Sequence, residues 1–240
     1  MGNSIFCTAG DSKALSFAVQ RLKTYGFEFT TLSDPLATHL LLPVPSLDSD
    51  GNIRGGGKLQ DIMQPGICVI GGNLPPLPNV LDLMQDPAYV AENAYITAHC
   101  AVRMLMEKLP TALRGCPILV IGWGRIGKCL AALLKGLEAK VTVAARKDTD
   151  RAILQALGYQ ATEIGNIQPN YYRVIFNTAP AMVLPHIPAQ CIKIDLASSP
   201  GLGGSDVIYA RGLPGKDAPE ASGELIARTV LRLIRKEQEV

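Results

Sequence analysis

The sequence predicts an α/β fold: a doubly wound parallel sheet preceded by a smaller α/β N-terminal domain, with a C-terminal helix returning to that smaller domain. Three observations carry this. Short apolar runs of strand length alternate with segments of helical period. One run, Ile118-Leu119-Val120-Ile121, ends in Gly122-Trp123-Gly124-Arg125-Ile126-Gly127, and apolar residues then recur at helical spacing at Ile126, Leu130, Leu133, Leu134 and Leu137. A second strand-like run, Lys140 to Arg146, follows within one βαβ length. The 240 residues suffice for one large or two small domains, with boundaries expected at 1–92, 93–218 and 219–240.

The N-terminal segment Met1 to Cys7 has neither the basic region nor the long apolar stretch of a secretion signal, and it leads directly into a first strand, Ser4 to Thr8. Residues 12–25 form a helix with Leu15, Val19 and Leu22 on one face, and Phe27 to Thr30 a second strand. His39 to Pro43 is a buried strand stopped by proline, and 44–57 is a loop rich in Pro, Asp, Ser and Gly. Ile67 to Ile70 is the next strand. Pro75, Pro76 and Pro78 exclude regular helix beyond it.

A bridge helix of about 13 residues is expected from Thr97, its cap, with an apolar stripe of Ala98, Ala101, Val102, Leu105 and Leu109. The second domain follows. Its later strands are Val174 to Asn177 and Cys191 to Leu196. The last element, 219–236, is an amphipathic helix with Ile226, Val230 and Leu233 facing the core and Arg228, Arg232 and Arg235 facing water.

Composition narrows the function classes. Lys and Arg number 23 against 21 Asp and Glu, a net charge of +2 with no basic block suited to nucleic acid. No apolar run approaches the ~20 residues of a membrane span. Six cysteines (Cys7, Cys68, Cys100, Cys116, Cys129, Cys191) are scattered, mostly in apolar runs, without a C-x-x-C pair. This is the pattern of reduced, buried thiols in a cytoplasmic chain, and it offers no metal-ligand spacing.

The glycine motif gains meaning from its place between a strand and a helix. Gly122 makes the tight turn, Gly124 lets the backbone approach a pyrophosphate, and Gly127 lets the helix sit close to the strand. Trp123, Arg125 and Ile126 complete the turn, and the helix N-terminus supplies free N–H groups to phosphate. The competing reading is a tight βα turn with no ligand. Arg146 and Lys147 end the second strand, where NAD-selective sites place an acid for the ribose 2′-hydroxyl. Two cations there favour the 2′-phosphate of NADP over NAD. The alternative is a pair of solvated surface cations.

Ligands of open parallel sheets lie beyond the carboxyl ends of the strands. Three Gly/Pro-rich turns are expected there: Asn177-Thr178-Ala179-Pro180, Asp195 through Ser198 to Gly201, and Gly212-Leu213-Pro214-Gly215. They form a nicotinamide-facing site or plain turns. Asp195 ends a buried strand, where it either caps the following loop or serves chemistry. His99, in the expected first turn of the bridge helix, is the one histidine considered for proton transfer, set against a packed histidine with no chemistry. His39 and His186 read as structural or surface residues. A substrate pocket bordered by His99, Asn177, Thr178, Ser198 and Gly215 is expected in a cleft between the domains.

These motifs, together with Ala218-Pro219 and Ser222-Gly223, resemble the A subunit of dipicolinate synthase in order and spacing over residues 115–235. The resemblance over 1–110 rests on Ala9-Gly10-Asp11, Leu42-Pro43-Val44 and Asn93, and the chain reads as shortened in that half. That family resembles the two-domain 2-hydroxyacid-type dehydrogenases. It implies an NADP-dependent oxidoreductase that forms pyridine-2,6-dicarboxylate from a dihydro- or hydroxytetrahydro-dipicolinate, with a flavoprotein-like B subunit, homo-oligomeric assembly and a role in sporulation. Three positions depart from the family pattern: His99 for an acid, Ser199 for an arginine with Leu202-Gly203 inserted after it, and Glu220 for a lysine. Losing two cations removes partners for a dicarboxylate. The second reading is therefore a nucleotide-binding regulatory or assembly subunit with a decayed substrate site.

Overall fold

The structure, a computed structural model, describes residues 4–238. The chain divides into two compact units: residues 1–93 with 214–240, and Ala94–Leu213.

The first unit holds β1 (Ile5–Thr8), α1 (Lys13–Thr24), β2 (Glu28–Phe29), β3 (His39–Leu41), α2 (Leu59–Ile62), β4 (Cys68–Gly71) and β5 (Val80–Asp82). The strands form a parallel sheet in the order β2-β1-β3-β4-β5. Ser12 caps α1 by accepting the Leu15 N–H at 3.0 Å. The strand order reverses between β1 and β3, which opens a crevice beyond their carboxyl ends. Here the unit's own loop packs into it. Asp11 donates its N–H to the Arg54 carbonyl at 3.0 Å. Gly10, at φ +82°, has no room for a side chain, since a Cβ would stand 2.5 Å from that carbonyl oxygen.

A long C-terminal helix, residues Pro219–Gln238, packs along α1 in the same unit. Gly223 permits the close approach, because a Cβ there would lie 2.5 Å from that of Phe17. Arg21 pairs with Glu224 at 2.6 Å. Ile226 and Val230 are buried as expected. Arg228 is exposed as expected and also pairs with Glu92, whereas Arg232, expected to face water, is half-buried and pairs with Asp86 through two bonds of 2.7 and 2.9 Å.

The bridge helix differs most from expectation. It is α3, Pro87–Lys108, and begins ten residues before Thr97. Asp86 starts it by accepting the Tyr89 N–H at 2.7 Å, with Pro87 next in line. Thr97 is a buried mid-helix residue, and His99 lies about three turns in.

From Ala94 onward α3 belongs to the second unit. It is followed by β6 (Pro117–Ile121), α4 (Arg125–Gly136), β7 (Lys140–Ala144), α5 (Asp148–Ala156), β8 (Gln160–Thr162), β9 (Val174–Asn177), β10 (Ile192–Asp195) and β11 (Ile208–Tyr209). All strand pairs are parallel, in the order β11-β10-β9-β6-β7-β8. This is the doubly wound order of dinucleotide-binding sheets, with its switch point between β6 and β9. Ile118 to Ile121 and Val174 to Phe176 are fully buried, as central parallel strands covered on both faces must be. Leu213 to Asp217 is a short helix, α6, so Gly215 is helical and not part of a strand-end turn. The C-terminal helix is α7.

Candidate functional site

The switch point gathers the glycine motif, the end of β7 and the end of β9. β6 and β7 end side by side, with Ile121 opposite Ala144, and the Gly122 N–H continues the ladder by donating to the Ala144 carbonyl at 2.9 Å. Gly122 turns the chain at φ +101°, a conformation that disfavours any side chain. Gly127 is buried on the inner side of the turn. A Cβ there would stand 2.1 Å from the Gly122 carbonyl oxygen, so only glycine lets α4 start this close to β6.

Gly124 is different. It is exposed at the N-cap of α4, supplies no side-chain cap, and has nothing within 4 Å of where a Cβ would be. The first-turn N–H groups of α4 therefore open onto free space beside a bare backbone. That is the form of a phosphate cradle, and a pyrophosphate fits it. Arg125 is exposed at the same end, and Ile126 is half-buried.

Trp123, the single tryptophan of the chain, lies between the first two glycines of the motif. Its ring meets Tyr159 edge-on at 5.8 Å, and Lys128 Nζ stands 5.7 Å from its centroid.

Thr178 closes the turn from β9. Its hydroxyl and its N–H both donate to the Ile121 carbonyl at 2.9 Å. Asn177 and Asp195, expected among the cofactor-binding residues, are fully buried. The Asn177 amide donates to the Ala179 carbonyl at 3.0 Å and accepts the Ala179 N–H at 3.1 Å. Asp195 accepts from the N–H groups of Ala197 at 3.0 Å, Gly201 at 2.7 Å and Leu202 at 3.3 Å. These side chains hold the loops after β9 and β10, and what the loops present outward is backbone, half-buried Ala179, exposed Pro180 and exposed Ser198.

The end of β7 carries Arg146 and Lys147, both exposed, and neither side-chain cation has a protein partner among the described residues. A residue that the sequence pattern does not single out lies beneath them. Arg151 on α5 donates from Nη1 to the carbonyls of Ala145 and Arg146, each at 2.8 Å, and pairs with Asp148. Its one signal in the sequence is a cation in the first turns of a helix, where the dipole disfavours positive charge.

The structure does not bring His99 to this site. His99 is exposed and lines an apolar groove of about 840 Å³ between α3 and α4, with Val102, Met106, Cys129 and Leu133 among its walls. The loops bearing Asn177, Thr178 and Ser198 contribute nothing to that groove. Gly215 belongs to the first unit. His39, in the first unit, stacks on Phe6 at 4.9 Å and bonds Thr38 at 2.8 Å, and burial lowers its pKa. His186 is exposed. Cys7, Cys100, Cys116 and Cys191 are buried thiols, and none of the six cysteines is in a disulfide. Among the described residues no His/Cys/Asp/Glu group could hold a metal, and no helix is long and apolar enough to cross a membrane.

No family model matches the chain. In sequence it is similar to the A subunit of dipicolinate synthase from Bacillus subtilis (strain 168), 26% identical over 163 residues. The match covers 61% of this chain and about half, 54%, of that relative. In fold it is similar to the A subunit of dipicolinate synthase from Bacillus halodurans, with a TM-score of 0.82, 21% identity, and coverage of 97% of this chain and 98% of that one. The two-domain dehydrogenase fold recurs in D-lactate dehydrogenase from Escherichia coli, with a TM-score of 0.57, 13% identity, and coverage of 98% and 97%.

Proposed function

We propose that this chain, a divergent relative of the dipicolinate synthase A subunit, is an NADP-dependent oxidoreductase acting in the cytoplasm on a dihydro- or hydroxytetrahydro-dipicolinate-type substrate with a B-type partner subunit. One observation carries the cofactor half of the reading: the bare Gly124 N-cap of α4 and the unpartnered cations Arg146 and Lys147 stand at the ends of adjacent strands, β6 and β7. The first suits a pyrophosphate and the second a ribose 2′-phosphate.

When bound, NADP supplies a hydride acceptor. The residues of this chain supply placement. The first turn of α4 orients the pyrophosphate, Arg146 and Lys147 grip the 2′-phosphate, and the Thr178–Ile121 bonds fix the loop over the switch point. Ser198, exposed on the loop that Asp195 anchors, offers a hydroxyl to a substrate carboxylate. For a dihydrodipicolinate the balance is one hydride to the cofactor and one proton released. His99, in the α3–α4 groove, has no part in this step.

The test is a titration of the protein with NADPH and NADH, read by quenching of Trp123. NADPH binds more tightly in this reading. Arg146→Ala weakens NADPH by roughly ten- to a hundred-fold, the worth of one charge-assisted phosphate contact, and leaves NADH nearly unchanged. Equal wild-type affinities overturn the NADP assignment. Turnover of dihydrodipicolinate with NADP, with and without a B-type subunit, separates the enzyme from the second reading. That reading, a nucleotide-binding assembly subunit, is favoured by Ser199 and Glu220, exposed positions that carry no cation for a dicarboxylate. Tight NADPH binding without turnover in either mixture decides for it.

A further inference from the structure

We propose that Arg151 is a positioning residue for 2′-phosphate recognition: it holds the turn after β7 in the shape that aims Arg146 and Lys147. The inference rests on the NADP reading above. One guanidinium nitrogen, Nη1, bonds two successive carbonyls, those of Ala145 and Arg146, at 2.8 Å each. The other terminal nitrogen, Nη2, is engaged by Asp148. The side chain is only 20% exposed, although its Asp148 partner is 91% exposed. The fork is thus turned inward onto the backbone and away from solvent.

The same backbone is fixed from its other side. The Ala145 N–H donates to the Thr162 carbonyl at 3.1 Å, and the Arg151 N–H donates to the Lys147 carbonyl at 3.2 Å. Arg146 and Lys147 themselves have long, exposed side chains without protein partners among the described residues. Only their backbone is positioned, and Arg151 is the side chain that positions it. A cation this near the start of α5 costs the helix some stability through the dipole. Its gain is the ordering of two carbonyls that would otherwise be free to rotate the Arg146 peptide. A planar five-donor fork can hold two acceptors with one nitrogen and an acid with the other, whereas an ammonium is a single flexible point.

The experiment compares wild type, Arg151→Ala and Arg151→Lys in titrations with NADPH, NADH and 2′,5′-ADP, read by Trp123 emission, together with thermal melts. Arg151→Ala is expected to weaken NADPH and 2′,5′-ADP roughly tenfold, as a small misplacement of a binding group does, with NADH unchanged. Arg151→Lys is expected to fold and to fall between the two. An equal loss for NADPH and NADH makes Arg151 merely structural and overturns the proposal, as does unchanged NADPH affinity in a folded Arg151→Ala. If Arg151→Ala does not fold, the NADPH-to-NADH ratio of Arg151→Lys decides: a lowered ratio supports the proposal and a wild-type ratio overturns it. Failure of the underlying reading shows separately, as a wild-type protein that binds both cofactors alike.

Discussion

Asn177 and Asp195 are register partners on adjacent parallel strands, and the buried amide of the first donates to the buried carboxylate of the second at 3.0 Å. This bond joins the carboxyl ends of β9 and β10 at the point where both strands leave the sheet. From it each residue organises its own loop: Asn177 bonds Ala179, and Asp195 bonds Ala197, Gly201 and Leu202. Gly201 packs so tightly here that a Cβ would stand 2.3 Å from the Asn177 amide nitrogen.

Asp195→Ala therefore leaves several buried donors without an acceptor. The expected loss is about 3 kcal/mol, the range for a buried charged hydrogen-bonding group, measured by urea unfolding. The loop 196–202 should also lose amide protection in hydrogen exchange ahead of the rest of the unit. A loss under about 0.5 kcal/mol, as at ordinary surface positions, refutes the anchoring role.

Two glycine substitutions in the same motif should behave differently. Gly124→Val projects into open space at an ordinary backbone angle, φ −82°, so the melting temperature is kept while NADPH binding is lost. Gly127→Ala places a methyl 2.1 Å from the Gly122 carbonyl oxygen, so it lowers both. Calorimetry with NADPH and a melting curve on each variant separate them. Retained NADPH affinity in Gly124→Val means that the turn serves packing alone.

Acid stability should depend on the start of α3. The Arg232 guanidinium beside Asp86 lowers the carboxyl to about 2 from its ordinary 3.8. A depressed folded pKa gives stability that is complete above the unfolded value and lost as pH falls through the folded one. Wild type should thus exceed Asp86→Asn by about 1–3 kcal/mol near neutrality, with the gap shrinking between about pH 4 and pH 2. Melting curves across that range test the sign. A gap independent of pH would place the effect in packing and not in charge.

The two lost family cations have different expected outcomes. Ser199 is exposed on the anchored loop, and Ser199→Arg should strengthen dipicolinate binding about tenfold, one charge-assisted pair. Glu220 lies in the first turn of α7 and lines a shallow pocket with Arg21 and Thr24 of α1. Glu220→Lys puts a cation near Arg21 and against the helix dipole, at a cost of about 0.5–1 kcal/mol, without gain in dipicolinate affinity. Calorimetry with dipicolinate on both single variants, beside their melts, checks this pair. An affinity gain from Glu220→Lys alone would refute this expectation.

By itself the sequence determined the core of the second unit and its glycine-rich turn. Ile118 to Ile121 and Val174 to Phe176 are continuous apolar runs because the central strands are buried on both faces, and such runs are visible without coordinates. Gly122, Gly124 and Gly127 are given distinct tasks by spacing alone, and the tight turn at Gly122 and the close packing at Gly127 are both seen. The start of α3 is also written in the chain, as Asp86-Pro87, but the threonine nearer the apolar stripe is an equally good cap and sets the expected boundary ten residues late. The edge strands β5, β8 and β11, of two or three residues, hold too few side chains to show a period.

Tertiary structure decided the rest. Whether Asn177 and Asp195 face a ligand or each other depends on strand order, which brings β9 beside β10. Which acids Arg228 and Arg232 meet depends on where α7 lies against residues more than a hundred positions away. His99 illustrates the same limit. Its residue type fits proton transfer, but its rotation and height on α3 turn it to the flank of α4. Periodicity fixes which face of an element is apolar; only packing fixes which polar groups that face then meets.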